Sequence, residues 1–207
     1  MGLKVLRSDN GIFMENTYIL LDQDQCLSAV VDPGTINDDL INAISSTGSL
    51  DMIILTHGHA DHMAAISEYT ALYPEAKIIA SSDEKHFLTD PELNNSKSIA
   101  GKEVAVEADI YVEDGQVIKF GTHDLRFIKT PGHTPGGMCI YTEGLLFSGD
   151  TLFRLSVGRT DLAEADTESL MESISNKLYS LPDETLVYPG HGPETTIGLE
   201  KRMNPFV

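Results

Sequence analysis

Thr56-His57-Gly58-His59-Ala60-Asp61-His62 sets three imidazoles and a carboxylate within six positions, directly after the apolar run Met52-Ile53-Ile54-Leu55. All four side chains ligate divalent metals, through imidazole nitrogen or carboxylate oxygen. A chance match to this pattern in a chain of such length has odds of roughly 1 in 1,000 if all residues were equally common, and histidine is rarer than that. The spacing predicts a metal site at the point where a buried strand opens into a loop and then a helix.

Three further candidate ligands each follow a predicted strand: His133 after RFIKT-Pro-Gly, Asp150 after LLFSG, and His191 after TLVYPG. Glycine beside each lets the backbone turn sharply and approach closely, as a crowded centre requires. His86 and His123, in DEKHFLTD and GTHD, lack this pattern and read as solvated surface. An ion such as zinc accepts about four or five ligands. The seven side chains His57, His59, Asp61, His62, His133, Asp150 and His191 therefore suit two ions with a shared carboxylate. Two ions about 3.5–4 Å apart hold a hydroxide acidic enough to be a nucleophile near neutral pH. With Asp61, Asp150 and that hydroxide, the formal charge of such a centre is near +1, which predicts a locally positive pocket.

The elements that position these residues are legible in outline. Strands are predicted at 3–8, 16–21 and 26–32, the last broken by Pro33-Gly34. A helix over 36–47 follows, then strand 52–55, a helix over 62–73 stopped by Pro74, strand 77–80 and a helix near 82–89 with Ser82 as N-cap. Residues 91–108 are polar and aperiodic and read as an exposed excursion. Asp114-Gly115 between YVE and VIKF signals a hairpin. Strands at 124–130, 137–142 and 145–149, a helix at 167–180, strand 185–188 and a helix from about 195 complete the chain. This order predicts one α+β domain over residues 1–207, with sheet packed on sheet and helices outside.

The chain carries 14 Lys and Arg against 32 Asp and Glu, a formal net charge of −18. Such a surface repels polyanions, so a small-molecule substrate is expected rather than nucleic acid or an anionic membrane. Cys26 and Cys139 lie in apolar strand-like surroundings and read as buried free thiols. No apolar stretch has the length of a membrane span, and no continuous apolar segment follows Lys4 and Arg7, so a cytoplasmic location is expected. The oligomeric state is left open.

The segments NTYIL, VVDPG, THGHADH, TPGHTPG, FSGDTLF, VGRTDL, YPGHGPET and EKRMNPFV resemble those of metallo-β-lactamase superfamily hydrolases, and most of all the short bacterial glyoxalase II-like proteins. The resemblance spans nearly the whole chain. It implies an αββα sandwich of four layers with the metals at one rim of the sheets. By position, His57, His59 and His133 would hold the first metal, Asp61, His62 and His191 the second, and Asp150 would bridge them; Asp61 would also orient the attacking hydroxide. Several true metallo-β-lactamases have cysteine at the place of Asp150, and di-iron flavoprotein reductases generally have glutamate at that of His59, so both residues favour the glyoxalase II-like branch.

The activity so implied is hydrolysis of thioesters with two divalent ions, zinc first and iron or manganese as alternatives. A thiol of pKa near 8.5 leaves without a general acid, whereas an amide does not. Full-length glyoxalase II has a C-terminal helical domain that supplies much of its glutathione grip, and this sequence runs only to Val207. Arg159 stands at the place of a substrate-binding lysine, and Asp161 at that of a substrate-contacting tyrosine, where it would repel a glutathione carboxylate. Lys201 and Arg202 read as a solvated helix end. Two alternatives share the residues: a persulfide dioxygenase with one iron held by His57, His133 and Asp150, and a lactonase or other ester hydrolase. The nuclease branch, which usually adds a domain to hold RNA, fits less well.

Overall fold

Runs rich in Val, Ile and Leu, bounded by Gly, Pro and Asp, form the strands because branched side chains pack well on a pleated surface. The computed structural model describes residues 2–207 and forms two six-stranded sheets. The first takes β1 (Lys4–Ser8), β2 (Thr17–Asp22), β3 (Leu27–Val31), β4 (Met52–Ile54), β5 (Lys77–Ser81) and β6 (Ile110–Val112), side by side in that order. The pairs β1/β2 and β2/β3 are antiparallel, and β3 to β6 run parallel. The second sheet uses β7 (Val117–Phe120), β8 (His123–Lys129), β9 (Met138–Thr142), β10 (Leu145–Gly149), β13 (Leu186–Pro189) and β14 (Thr195–Thr196), in the order β14-β13-β10-β9-β8-β7. A small ribbon, β11 (Leu152–Phe153) with β12 (Ser156–Val157), stands beyond β10.

Both faces of each sheet are covered, which is why several strands read as continuous apolar runs. Alternate residues of β2 go to different cores. Tyr18 and Leu20 meet Phe127, Ile140 and Phe147 of the second sheet. Ile19 and Leu21 face the outer helices, with Leu40, Ile44, Ile66 and Tyr69. A third core joins Ile128, Cys139 and Leu146 to Leu170, Ile174 and Ile197 on the opposite side. The layers are therefore helix, sheet, sheet, helix: an α+β fold of the αββα kind.

The helices are α1 (Asp38–Ser45), α2 (Ala60–Met63), α3 (Ile66–Leu72), α4 (Lys85–Thr89), α5 (Ser96–Ile99), α6 (Thr167–Glu172) and α7 (Ile197–Met203). Asn37, Asp166 and Thr196 cap α1, α6 and α7 by accepting from Leu40, Ser169 and Leu199 N–H groups. After α6 the chain continues helically through a π turn at Ser173–Lys177 and a 3-10 turn at Leu178–Ser180, as the 167–180 expectation requires.

Several expectations need correction. The helix over 62–73 is two helices, because the Ala65 N–H bonds Pro33 O at 2.9 Å and so leaves the helical ladder. The one near 82–89 starts with a 3-10 turn capped by Ser81, one residue before Ser82. Asp114-Gly115 makes a turn, but not a hairpin: β6 joins β5 in one sheet and β7 joins β8 in the other. Its groups bond to β8 instead, Asp114 Oδ1 accepting from Lys129 N at 2.8 Å and Gly115 N donating to Phe127 O at 2.8 Å. Residues 91–108 are exposed over much of their length, as expected, but are anchored at three buried positions, Asn94, Ser96 and Val104. Asn94 and Ser96 are fully buried, Asn94 Nδ2 donates to Val104 O at 2.8 Å, and Asn94 O accepts from Ala60 N at 2.9 Å, fastening the segment beneath the start of α2. Cys139 is buried as expected, but Cys26 is exposed at a turn. His86 is exposed; His123 is buried, between Glu143 (2.8 Å) and Asp22 (3.3 Å). Among the described residues no helix is long and apolar enough to cross a membrane.

Candidate metal centre

The chain leaves β4, β8, β10 and β13 toward one rim, and the loops there carry all seven expected ligands. β10 and β13 are parallel, so Asp150 and His191 emerge together. Gly149 follows a left-handed path (φ +48°), and a Cβ on it would meet Thr56. A Cβ on Gly190 would run into Asp150 Oδ1 and His62, so only glycine lets the His191 loop come this close. Asn16 ties that loop down through its side chain, which donates to Pro189 O and Gly192 O at 2.9 Å each.

Ligand atoms of His57, His59 and His133 lie within 4.8 Å of one another, and so do those of Asp61, His62 and His191. Asp150 sits between the two sets: its Oδ1 is 3.4 Å from His62 Nε2, and its Oδ2 is 3.5 Å from His133 Nε2 and 3.7 Å from His191 Nε2. Asp61 Oδ2 approaches His191 Nε2 at 3.3 Å. The structure thus gathers every expected ligand. A third grouping, Asp32 with His57 and His62, is of a different kind, since Asp32 is already engaged by the outward nitrogen of His62.

His57, His62, His133 and His191 each have one ring nitrogen held by a protein partner, and His133 Nε2 also meets His59 Nδ1 at 2.9 Å. His133 Nδ1 donates to Arg159 O at 2.8 Å, and His191 Nδ1 to Phe13 O at 3.3 Å. His62 Nδ1 bonds Asp32 Oδ2 at 2.9 Å. His57 Nδ1 bonds Thr56 Oγ1 at 3.0 Å, and that hydroxyl donates to Asp32 Oδ2 at 2.7 Å. This network sets the tautomer of His57, leaving Nε2 as a lone pair. Nε2 of His57 and of His62 and Oδ1 of Asp150 are buried without a hydrogen-bond partner. Orphaned donor atoms of these types, converging from the β4–α2 segment and the loop after β10, fit divalent metal.

The electrostatics agree. Burial, then the neighbouring imidazoles, hold His57 well below the usual histidine range and His59 at about 3. Burial opposes charge on His62 too, but Asp150, Asp61 and Asp32 outweigh it and raise His62 well above that range. His191 is raised against its burial by Asp61 and Asp150. Burial would raise both carboxylates; His62 before all else holds Asp150 far down and Asp61 low. The carboxylates thus favour a proton on His62 and on His191, which a bound cation would displace.

A cavity of about 520 Å³ opens onto His59, Asp61, His133, Asp150 and His191. Arg159 lines it, but its guanidinium is engaged: Nε bonds Asp161 Oδ1 at 2.6 Å and Nη2 bonds Asp161 Oδ2 at 2.8 Å. Lys201 and Arg202 lie elsewhere, on Asp183.

Two buried acids that the motifs did not assign hold the loops. Asp32 accepts from Thr56 N (2.8 Å) as well as from Thr56 Oγ1 and His62. Its signal was an acid directly after the apolar strand in VVDPG. Glu84 accepts from Gly58 N (2.8 Å), Gly136 N (2.9 Å) and Thr134 Oγ1 (3.1 Å), clasping the His57–His59 loop to the His133 loop. Burial pushes its carboxyl up to about 7, against those three donors. Inside the charged run DEKH it gave no signal.

The metallo-beta-lactamase superfamily model matches residues 10–191. "Probable metallo-hydrolase YqgX" of Bacillus subtilis is 37% identical over 99% of this chain and 98% of its own length. "Hydroxyacylglutathione hydrolase GloC" of Haemophilus influenzae is 33% identical over 94% of this chain and 93% of its own. Among solved structures, BLEG-1 B3 metallo-beta-lactamase is similar at TM-score 0.89 and 36% identity, covering 98% of this chain and 99% of that one. TTHA1623 in a di-iron-bound form gives 0.83 and 33%, covering 98% and 100%. With its fold, its His/Asp clusters and these relatives, the chain belongs to the metallo-β-lactamase superfamily and is a metallo-hydrolase of that family.

Proposed function

We propose that this protein is a dinuclear metallohydrolase that cleaves thioesters, with His57, His59 and His133 holding one divalent ion, Asp61, His62 and His191 a second, and Asp150 shared. The observation that carries this reading is the position of Asp150, whose carboxylate lies between the two sets, within 3.7 Å of His133 on one side and of His62 and His191 on the other. Two bound dications would supply Lewis acidity, polarising a carbonyl and acidifying water near neutral pH. Zinc suits the mixed nitrogen and oxygen donors, and the di-iron form of a relative makes iron the alternative.

The chain's own residues do the rest. Asp61 lines the cavity and has an oxygen turned toward His191, a place from which it accepts a proton and orients the nucleophile. Apart from Asp61, Asp150 and the imidazoles, the lining holds no acid to protonate a leaving group. A thiolate departs without one and an amine does not, which favours thioesters over amides. The name of the Haemophilus relative supports the same class. A small-molecule substrate suits the cavity, and the net charge of −18 disfavours nucleic acid.

The test is metal analysis of purified protein with turnover of a thioester, a lactone, a cephalosporin and a persulfide. Two ions per chain and thioester cleavage, lost in Asp61→Ala, are expected. One iron per chain with oxygen consumed on the persulfide would overturn hydrolysis, since His57, His133 and Asp150 also form a two-histidine-one-carboxylate face.

A further inference from the structure

Resting on the hydrolase reading, we infer that the cavity selects thioesters whose groups on either side of the scissile bond are uncharged and apolar, and discriminates against anionic ones such as glutathione thioesters. Two independent features carry this. One is the wall beside the metal ligands. Phe13, Ile99, Phe153, Val157 and Leu162 line the cavity, and the polar groups among them, Asn95, Ser98 and Ser156, carry no charge. Phe13 is 67% exposed on a left-handed backbone (φ 56°), and Met14 beside it is 72% exposed (φ 58°). Two successive non-glycine residues in that region are strained, and here the strained turn presents apolar surface to the mouth of the cavity. Phe13 O also bonds His191, so the turn is fastened to the centre itself.

The second feature is the pairing of two arginines, one in the cavity lining and one in the adjoining groove. Arg159, the only lysine or arginine of the lining, is held in a two-point pair by Asp161. Arg7, in the adjoining groove behind Phe13, faces Asp9 at 3.6 Å. In each case the acid lies two residues further along the chain, so the cation carries its own counter-charge and offers little net attraction to a carboxylate on the substrate. An anionic thiol portion would have to displace Asp161 and leave that acid facing it.

The experiment compares hexanoyl-N-acetylcysteamine with hexanoylglutathione on metal-loaded protein, and measures by calorimetry the binding of the uncleavable thioethers S-hexyl-N-acetylcysteamine and S-hexylglutathione. The neutral member is expected to lead about tenfold in kcat/KM and in affinity. Asp161→Asn, which frees Arg159, is expected to narrow the gap about threefold, in line with one exposed ion pair, and to make the residual glutathione binding salt-dependent. Phe13→Ser is expected to raise KM for the hexanoyl thioester about tenfold, as loss of most of one aromatic contact does. Equal or better performance of the glutathione compounds overturns the selectivity while leaving hydrolysis intact. Preferred binding of the neutral thioether without cleavage of any thioester removes the hydrolase reading and supports the selectivity of the cavity.

Discussion

Glu84→Gln isolates the clasp between the two histidine loops. In the folded chain burial raises the Glu84 carboxyl to about 7, against 4.5 in the unfolded chain. Below pH 4.5 both states are protonated and the group's stabilisation is fully present. As pH rises from there toward 7, the unfolded chain gives up its proton and the folded one keeps it. Stability then falls by about 1.4 kcal/mol per pH unit. Integrated from pH 5 to 8, the loss is about 2–3 kcal/mol. Glutamine does not titrate and shows none of it. The variant has its own cost: its amide cannot satisfy both Gly58 N–H and Gly136 N–H, and one donor left unpaired costs about 1–3 kcal/mol.

Glu84→Gln is therefore expected to be less stable than the parent at pH 5 and to draw level with it near pH 8. Urea unfolding of metal-loaded parent and variant, at fixed free metal, reads this directly, because the titrations of the metal ligands occur in both and cancel in the difference. In a thermal scan the closing gap is about 5–10 °C for a chain of this size. A gap that stays constant with pH, or widens as pH rises, would show that Glu84 is ionised throughout, and the argument from burial would fail.

Asp32→Asn should weaken metal affinity or activity about 10–100-fold, because Thr56 and His62 lose a shared acceptor; unchanged affinity in a chelator competition would refute that role. Chelation should lower the thermal midpoint, since His57, His62 and Asp150 are then left with buried unpaired atoms, and reloading should release protons from His62 and His191, measurable with a pH indicator. His123→Ala, whose side chain is not among the ligands, should cost about 1–3 kcal/mol by removing the ring that faces buried Asp22 Oδ2, with metal content unchanged in elemental analysis.

Much of the site was readable because its chemistry is local. His57 to His62 form one short run, and His133, Asp150 and His191 each follow an apolar strand that declares its own end. Strand positions were readable for the same reason. Partners were not: the turn at Asp114-Gly115 has hairpin chemistry, yet β6 and β7 belong to different sheets, because pairing is decided by which faces each strand must bury. Asn94 and Ser96 look like loop residues, and their burial depends on Val104 and α2, which no local pattern specifies. His123 and Glu84 failed for a related reason. A charged or polar side chain in a charged run carries no sign that distant backbone amides or acids will enclose it.

The charge of the centre also differs from what the motifs implied, with a consequence for the substrate. Counting only Asp61, Asp150 and a hydroxide against two dications leaves one positive charge. The structure adds Asp32, 2% exposed and bonded directly to His62, which brings the formal sum to zero. Glu15 is fully buried nearby, and burial raises its carboxyl well above the usual range, which disfavours a charge there. With two dications bound, a centre of that formal sum, in a chain of net charge −18, would exert no long-range pull on anions. Raising ionic strength should therefore leave kcat/KM for a neutral thioester nearly unchanged, whereas a positive pocket that steers anions would show a steep fall with salt for an anionic one. A steep fall for hexanoylglutathione would mean that Asp32 does not neutralise the centre.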